Sequence, residues 1–311
     1  MSASREALDN LVVDMRSRHL GQHPDRAVAL EGHMRFGKAL EGPPGRLHGG
    51  YHAHVRTLPL LARCDEHDSA ATYPCALDVH IQKPLPLEQE VAFDAEYTRG
   101  AWGWELATRF EHSDRLRATL RSLPPGPLLS DDELARYRQQ YEASQPAQGR
   151  FKMFGVTVQL GAEVVFVTGR DPLHTEPGSQ LADLCDARGA FGPALIAAQL
   201  DAVGAVAQGT RMRHPHFTKR IELALASGSV PASTGFVFLA DRTRIEEDTA
   251  STTAPVEIKG QLWGTVRVPV ALVDANFERA LAVGHVTVHP VDPEKFAGLT
   301  EMRKLRDDSA A

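Results

Sequence analysis

The chain has 311 residues, enough for two domains of ordinary size or one large one. Its 42% hydrophobic and 24% charged residues are those of a globular chain and exclude a disordered one. The net charge of -6, with both signs interspersed and no long basic run, argues against a nucleic-acid partner.

Three cysteines, Cys64, Cys75 and Cys185, show no CxxC spacing and cannot all pair. Neither a disulfide framework nor a structural zinc site is expected, and a reducing cytoplasm is the default location. The opening stretch MSASREALDNLVVDMRSRHL carries acids and no apolar run, unlike a secretory signal. No stretch approaches the roughly 18 to 20 apolar residues that a membrane span needs.

In chain order, Ser4 to Leu20 place Leu8, Leu11, Val12 and Met15 at helical spacing and predict a short amphipathic helix. Val28 to Leu40 is ambiguous, with a strand plausible. EGPPGRLHGGYHAHVRTLPLLARC, from Glu41 to Cys64, then breaks at its Gly/Pro turn. It passes through His48-Gly49-Gly50 into a helix-like segment over Tyr51–Arg63. Period-two alternation follows in Leu77-Val79-Ile81, Val91-Phe93-Ala95-Tyr97, Trp104-Leu106-Thr108-Phe110 and Leu116-Ala118-Leu120, with a corner at Lys83-Pro84-Leu85-Pro86. That pattern predicts a meander of strands with one buried face, which would wrap a neighbouring helix. Ser122 to Gly149 opens with prolines. It continues as a charged helix capped by Ser130, with Asp131, Asp132 and Glu133 in its first turn, and reads as a linker.

The second half repeats the order of the first. Lys152–Thr168 is strand-rich, and GAFGPALIAAQLDAVGAVAQ (Gly189–Gln208) is a very apolar helix entered through Phe191-Gly192-Pro193. HFTKRIELALASG, TGFVFLADRTRIEED, PVEIKGQLWGTVRVPVALVD and GHVTVHP read as strands. A repeat at a period of roughly 150 residues predicts a duplicated domain rather than a solenoid.

GPPGRLHGG (Gly42–Gly50), the helix after it and the KPLPLEQEV corner resemble the hot-dog-fold acyl-CoA thioesterases over about Val28–Leu123. The second half resembles a divergent hot dog by its order of elements and by FGPALIAAQLDAVGA, without an HGG. The resemblance implies an α+β double hot dog, two antiparallel sheets each wrapping a central helix. The expected divisions are an N-terminal hot dog with leading helix (1–123), a linker helix (124–149), a C-terminal hot dog (150–293) and a tail (294–311).

A helix N-terminus exposes unpaired N–H groups and a partial positive charge, and glycines let a ligand approach closely. A thioester carbonyl at His48-Gly49-Gly50 would find its developing oxyanion stabilised by the Gly49 or Gly50 amide, with His48 orienting the carbonyl or a water. Alternatively the glycines only permit a sharp turn and His48 packs. The resemblance places an acid about two turns into this helix; Thr57 stands there, beside Leu58, and Pro59 interrupts the helix. His52 or His54 is a substitute base or merely lines a cavity.

The second helix carries what the first lacks. Ala194–Ala207 is apolar all round except Gln199 and Asp201, as a buried helix is. A carboxylate there is costly to desolvate, and such groups are over-represented at active sites. Asp201 falls eight residues after Pro193, one place later than the resemblance implies. Its alternative role is structural, bonded to Gln199, an Arg or a backbone donor. The resemblance implies oxyanion donors and carboxylate from opposite halves: Gly49 and Gly50 from the first, Asp201 from the second, with Gln199 contacting substrate. The reciprocal site, with Thr57 and a proline that lacks the N–H donor, would be dead.

The expected activity is hydrolysis of an acyl thioester carried by CoA or a carrier protein, with no cofactor beyond the coenzyme A of the substrate. The alternatives are a hydratase or dehydratase, which needs a His/Asp pair such as His48 or His52 with Asp201, and a non-catalytic acyl-binding protein. Arg46 lies near the turn where CoA phosphates would need a cation. Exposed sheet edges leave a homo-oligomer open. His285 and His289 share a strand face in GHVTVHP and read as surface residues, since two histidines alone make a poor metal site.

Overall fold

The computed structural model describes residues 12–22, 27–36, 49, 74–100, 103–111, 113–146, 157–168, 190–191, 193–227, 230–231 and 235–292. The first half supplies β1 (Val12–Gln22), β2 (Ala27–Phe36), β3 (Cys75–Ile81), β4 (Glu90–Gly100), β5 (Gly103–Phe110) and β6 (Ser113–Ser122). Helix α1 (Asp131–Glu142) follows, then β7 (Gln145–Pro146), β8 (Thr157–Leu160), β9 (Val164–Thr168) and β10 (Ala190–Phe191). Helix α2 (Pro193–Met212) precedes β11 (His216–Leu225), β12 (Val230–Pro231), β13 (Phe236–Asp241), β14 (Glu246–Glu247), β15 (Val256–Ile258), β16 (Gln261–Trp263), β17 (Val266–Asp274) and β18 (Ala280–Pro290).

The leading helix expected over Ser4–Leu20 is corrected from Val12 onward, where the chain is strand. Val13, Met15, Ser17 and His19 alternate with Asp14, Arg16 and Arg18, so the stretch also carries a period of two. Pairing with β2 along its length supplies the backbone partners that a lone helix would have to find within itself. Residues 4–11 and the helix expected over Tyr51–Arg63 lie outside the described residues.

The two sheets expected are one. Among the described residues fourteen strands form a single antiparallel sheet, ordered β1-β2-β4-β5-β6-β3-β11-β18-β17-β13-β9-β8-β7, with β14 on β17. The halves join where β3 pairs β11, from Cys75 opposite Leu225 to His80 opposite Arg220. On one face of this junction Leu77, Val79, Ile221 and Leu223 enter the core. On the other the Arg220 guanidinium forks onto Asp78 at 2.8 and 2.7 Å.

The first half behaves as its alternation predicts. β3 buries every second residue, and Val91, Phe93 and Ala95 of β4 point into the same core. Phe93 and Phe110 face each other across β4 and β5, ring centroids 6.3 Å apart.

Around β9 and β13 the second-half sheet is covered on both faces, so these two strands read as continuous apolar runs rather than alternating ones. α2 packs on Val165, Val167, Phe236, Phe238, Val270 and Leu272. α1 packs Leu134 and Tyr137 on the other face, against Val164, Phe166, Val237 and Leu239. The linker helix is therefore also a layer of the second half. Its capping box is in place, Ser130 Oγ accepting from the Glu133 amide at 3.3 Å while Glu133 accepts from the Ser130 amide at 3.2 Å. No helix of the described residues is long and apolar enough to cross a membrane.

A buried charge locks α1 down. Asp241 is fully buried at the end of β13 and accepts from Arg136 Nη2, from the Thr243 hydroxyl at 2.7 Å and amide at 3.0 Å, and from Tyr137 at 3.4 Å. Burial pushes the Asp241 carboxyl up, but hydrogen bonds from Thr243 and Arg136 and the Arg136 charge outweigh it and hold it below the ordinary range. Arg136→Met is expected to cost about 2 to 3 kcal/mol in urea unfolding, because it strands a buried carboxylate that keeps only its weaker partners. Since the folded carboxyl ionises below its unfolded value, the penalty is full at neutral pH. It shrinks as pH falls below the usual aspartate range near ~4; a penalty constant with pH would contradict the assignment.

Candidate active site

α2 positions the carboxylate. Pro193 opens it, where a missing N–H and fixed φ are tolerated. Ile196, Ala197, Ala198, Leu200, Val203 and Ala207 are fully buried, so the helix is enclosed all round. Gly204 brings it close to the sheet: a Cβ there would meet Val286 Cβ at 3.3 Å and Val270 Cγ1 at 3.4 Å.

One turn earlier, Asp201 is 2% exposed. Its Oδ1 accepts a 2.7 Å hydrogen bond from Thr218 Oγ1 on β11. Gly49 of the first half lies directly against this pair. A Cβ on Gly49 would stand 2.6 Å from Thr218 Oγ1 and 2.8 Å from Asp201 Oδ2, closer than such contacts allow. The glycine is thus required by the approach of two halves of the chain, and the HGG turn and the second-helix acid meet.

The place where they meet is the end of the junction. The β3–β11 ladder stops at Arg220, opposite His80, while β11 runs on to His216 against β18. A bulge between Thr218 and Arg220 resets the alternation, so Thr218 reaches α2 while Arg220 reaches Asp78 on the opposite face.

Of the other expected site residues, His48 and Gly50 lie outside the described residues, as do Arg46, His52, His54 and Thr57. Gln199, two residues before Asp201, lies roughly 160° around the helix from it, on the far side. It is 2% exposed, and its Nε2 has no hydrogen-bond partner among the described residues. Thr218 was not singled out by sequence. A lone hydroxyl near a strand start has no local signature, and only the tertiary pairing with Asp201 reveals it.

The strand histidines are corrected. His289 is buried, its Nδ1 2.9 Å from Thr265 Oγ1, and His285 is half-buried opposite Glu222. Burial draws both imidazoles below their ordinary range, helped by Arg267 at His285 and by Lys219 at His289. The strand face that carries them is only partly wet. No group of three His, Cys, Asp or Glu among the described residues is arranged to hold a metal. Cys75 is buried in the core and its thiol is pushed up to about 12 by burial, which removes it from nucleophilic chemistry.

Gly49→Ala is expected to push Thr218 and Asp201 apart and to destabilise the protein by about 1 to 3 kcal/mol through overpacking. Ala at the uncrowded Gly209 position is the control, since a Cβ there meets nothing. Equal unfolding midpoints for the two variants would contradict the contact.

No protein-family model matches the chain, and no curated protein matches it. Solved structures do. The N-terminal dehydratase from the difficidin assembly line is 11% identical, covering 90% of this chain and 99% of that one with a TM-score of 0.53. The dehydratase domain from the CurJ module of curacin polyketide synthase is 12% identical, covering 91% and 99%, with a TM-score of 0.53. The dehydratase domain of PpsC from Mycobacterium tuberculosis, in complex with C12:1-CoA, is 16% identical, covering 88% and 97%, with a TM-score of 0.50. At such identities the likeness is one of fold: hot-dog-like, with a large antiparallel sheet.

Proposed function

We propose that the chain is a double hot dog, each half contributing strands and a central helix, and that it hydrolyses an acyl thioester at one site built from both halves. The observation that carries this reading is Gly49 of the HGG turn set against the Asp201–Thr218 pair. A buried carboxylate is costly to keep unless it is used or fully paired. Here it faces a turn rich in glycine, which is what a reactive carbonyl needs to come close.

In this mechanism Asp201 takes a proton from a water as that water attacks the thioester carbon. Thr218, donating to Oδ1, fixes the carboxylate so that Oδ2 faces the turn. The oxyanion is held by backbone N–H groups of the turn, Gly49 or Gly50, with His48 beside it. The C–S bond then breaks, the thiolate takes the proton from Asp201, and the products are a carboxylic acid and a free thiol. Direct attack by Asp201, giving an anhydride that water then cleaves, uses the same groups. The substrate is an acyl-CoA or an acyl group on a carrier protein, and coenzyme A enters as part of the substrate.

Dehydration of a 3-hydroxyacyl thioester is the second reading, and the similarity to dehydratase structures favours it. That chemistry needs a His with Asp201, and the candidates His48 and His52 are outside the described residues. Thr218 Oγ1 donates to Asp201 Oδ1, and a carboxylate so oriented suits the holding of a water.

Free-thiol release from a panel of acyl-CoAs tests the reading. Asp201→Asn is expected to lower kcat roughly 10² to 10⁴-fold with KM little changed. Thr218→Val is expected to lose roughly ten- to a hundredfold, the worth of a hydrogen bond to an ionised group, while Thr218→Ser retains activity. Enoyl absorbance from 3-hydroxyacyl-CoA without thiol release would replace hydrolysis by dehydration.

A further inference from the structure

Residues 248–265 leave the sheet between β14 and β17 and carry the β15–β16 hairpin. The base of this excursion is closed twice. The Asp248 amide donates to the Thr265 carbonyl at 2.9 Å, and Ser251 Oγ lies 2.9 Å from Thr265 Oγ1. Thr265 is also where the excursion meets a neighbouring strand, since its Oγ1 is 2.9 Å from His289 Nδ1 on β18. Thr265 and His289 are 4% and 8% exposed, so water does not compete freely for this pair.

The order of protons along the chain of groups follows from its far end. The Thr253 amide donates to Ser251 Oγ at 3.2 Å. Ser251 is left to donate to Thr265, and Thr265 to His289 Nδ1, an order that keeps the ring proton on Nε2. A second ring proton, on Nδ1, reverses the run. Thr265 then has to turn its hydroxyl back onto Ser251, whose oxygen already accepts from the amide. It also makes a cation where burial and the Lys219 charge on β11 both oppose one. β17 adds Arg267 to this face, and β18 adds His285 two residues away. Among the described residues the nearby acids act elsewhere: Asp248 and Glu222 on Arg220, and Glu246 on Arg267 and His285.

We infer that His289 is a pH-sensitive clasp: its neutral ring holds the base of the excursion to β18, and a proton on Nδ1 lets that base open. The clasp lies one rung from the candidate site. Val288 stands opposite Thr218, which donates to Asp201, and His289 follows it on the other face of the sheet. The clasp works in the same way whether the chain hydrolyses, dehydrates or only binds a thioester. The ring is held below the ordinary histidine range when clasped and returns to that range when released. Clasping is therefore favoured at neutral pH and weakens as pH falls below ~6.5. One proton changes the opening constant by no more than about tenfold per pH unit.

Amide hydrogen exchange between about pH 5 and about pH 8, corrected for its intrinsic pH dependence, reads that constant. The Asp248, Ser251 and Thr253 amides are expected to open more as pH falls below ~6.5, while the Val237–Ala240 amides of β13 stay unchanged. His289→Gln still accepts from Thr265 but takes up no proton in this range, and it is expected to abolish the dependence. His285→Gln is expected to keep it. Nitrogen shifts of the His289 ring in wild type give a second reading that needs no variant. They are expected to show Nε2–H at neutral pH and titration below the free-histidine value. Opening in wild type that ignores pH, a dependence that survives His289→Gln or vanishes in His285→Gln, equal opening of the β13 amides, or a ring protonated on Nδ1 at neutral pH overturns the inference.

Discussion

The ladder between β3 and β11 is the interaction on which the rest of the molecule depends. It joins two halves of one chain into one antiparallel sheet, from Cys75 opposite Leu225 to His80 opposite Arg220. Apolar residues seal one side of it and the Arg220–Asp78 fork clips the other. Where the ladder ends, β11 continues, and the strand edge that β3 leaves behind is where Gly49 meets Thr218 and Asp201.

Burial explains why the carboxylate is conspicuous. Around β9 and β13 the second-half sheet is sandwiched between α1 and α2, so both its faces are apolar there, and α2 is deeply buried. In such a helix a carboxylate is costly to desolvate, and Asp201 accepts from Thr218 there. Charge on the outer sheet face follows the opposite rule: arginines and acids alternate in pairs, exposed enough that each contributes little to stability. Of these, Arg220–Asp78 spans the junction.

Much of this was legible in the sequence, where local pattern and tertiary need agreed. Period-two alternation located β3 and β4 because one face of each enters a core. The Ser130 cap and the acids that follow it located the start of α1. The acid in an apolar helix located Asp201, and the glycines of HGG pointed to a close approach, which at Gly49 turned out to be an approach to that same acid. β1 was misread because its residues carry a helical and a strand period at once, and pairing with β2 decided between them. Thr218, the Lys219 bulge and the burial of His289 depend on which strand ends where, which no local window of sequence contains.

The central claim is a single site shared by the two halves, and a double-mutant cycle tests it most directly. Thiol release would be measured for wild type, Gly49→Ala, Asp201→Asn and the double variant. Residues that act as a unit are strongly non-additive, so the double variant should be no slower than Asp201→Asn alone. Losses that multiply would mean that Gly49 and Asp201 act independently, and would contradict a site built across the junction.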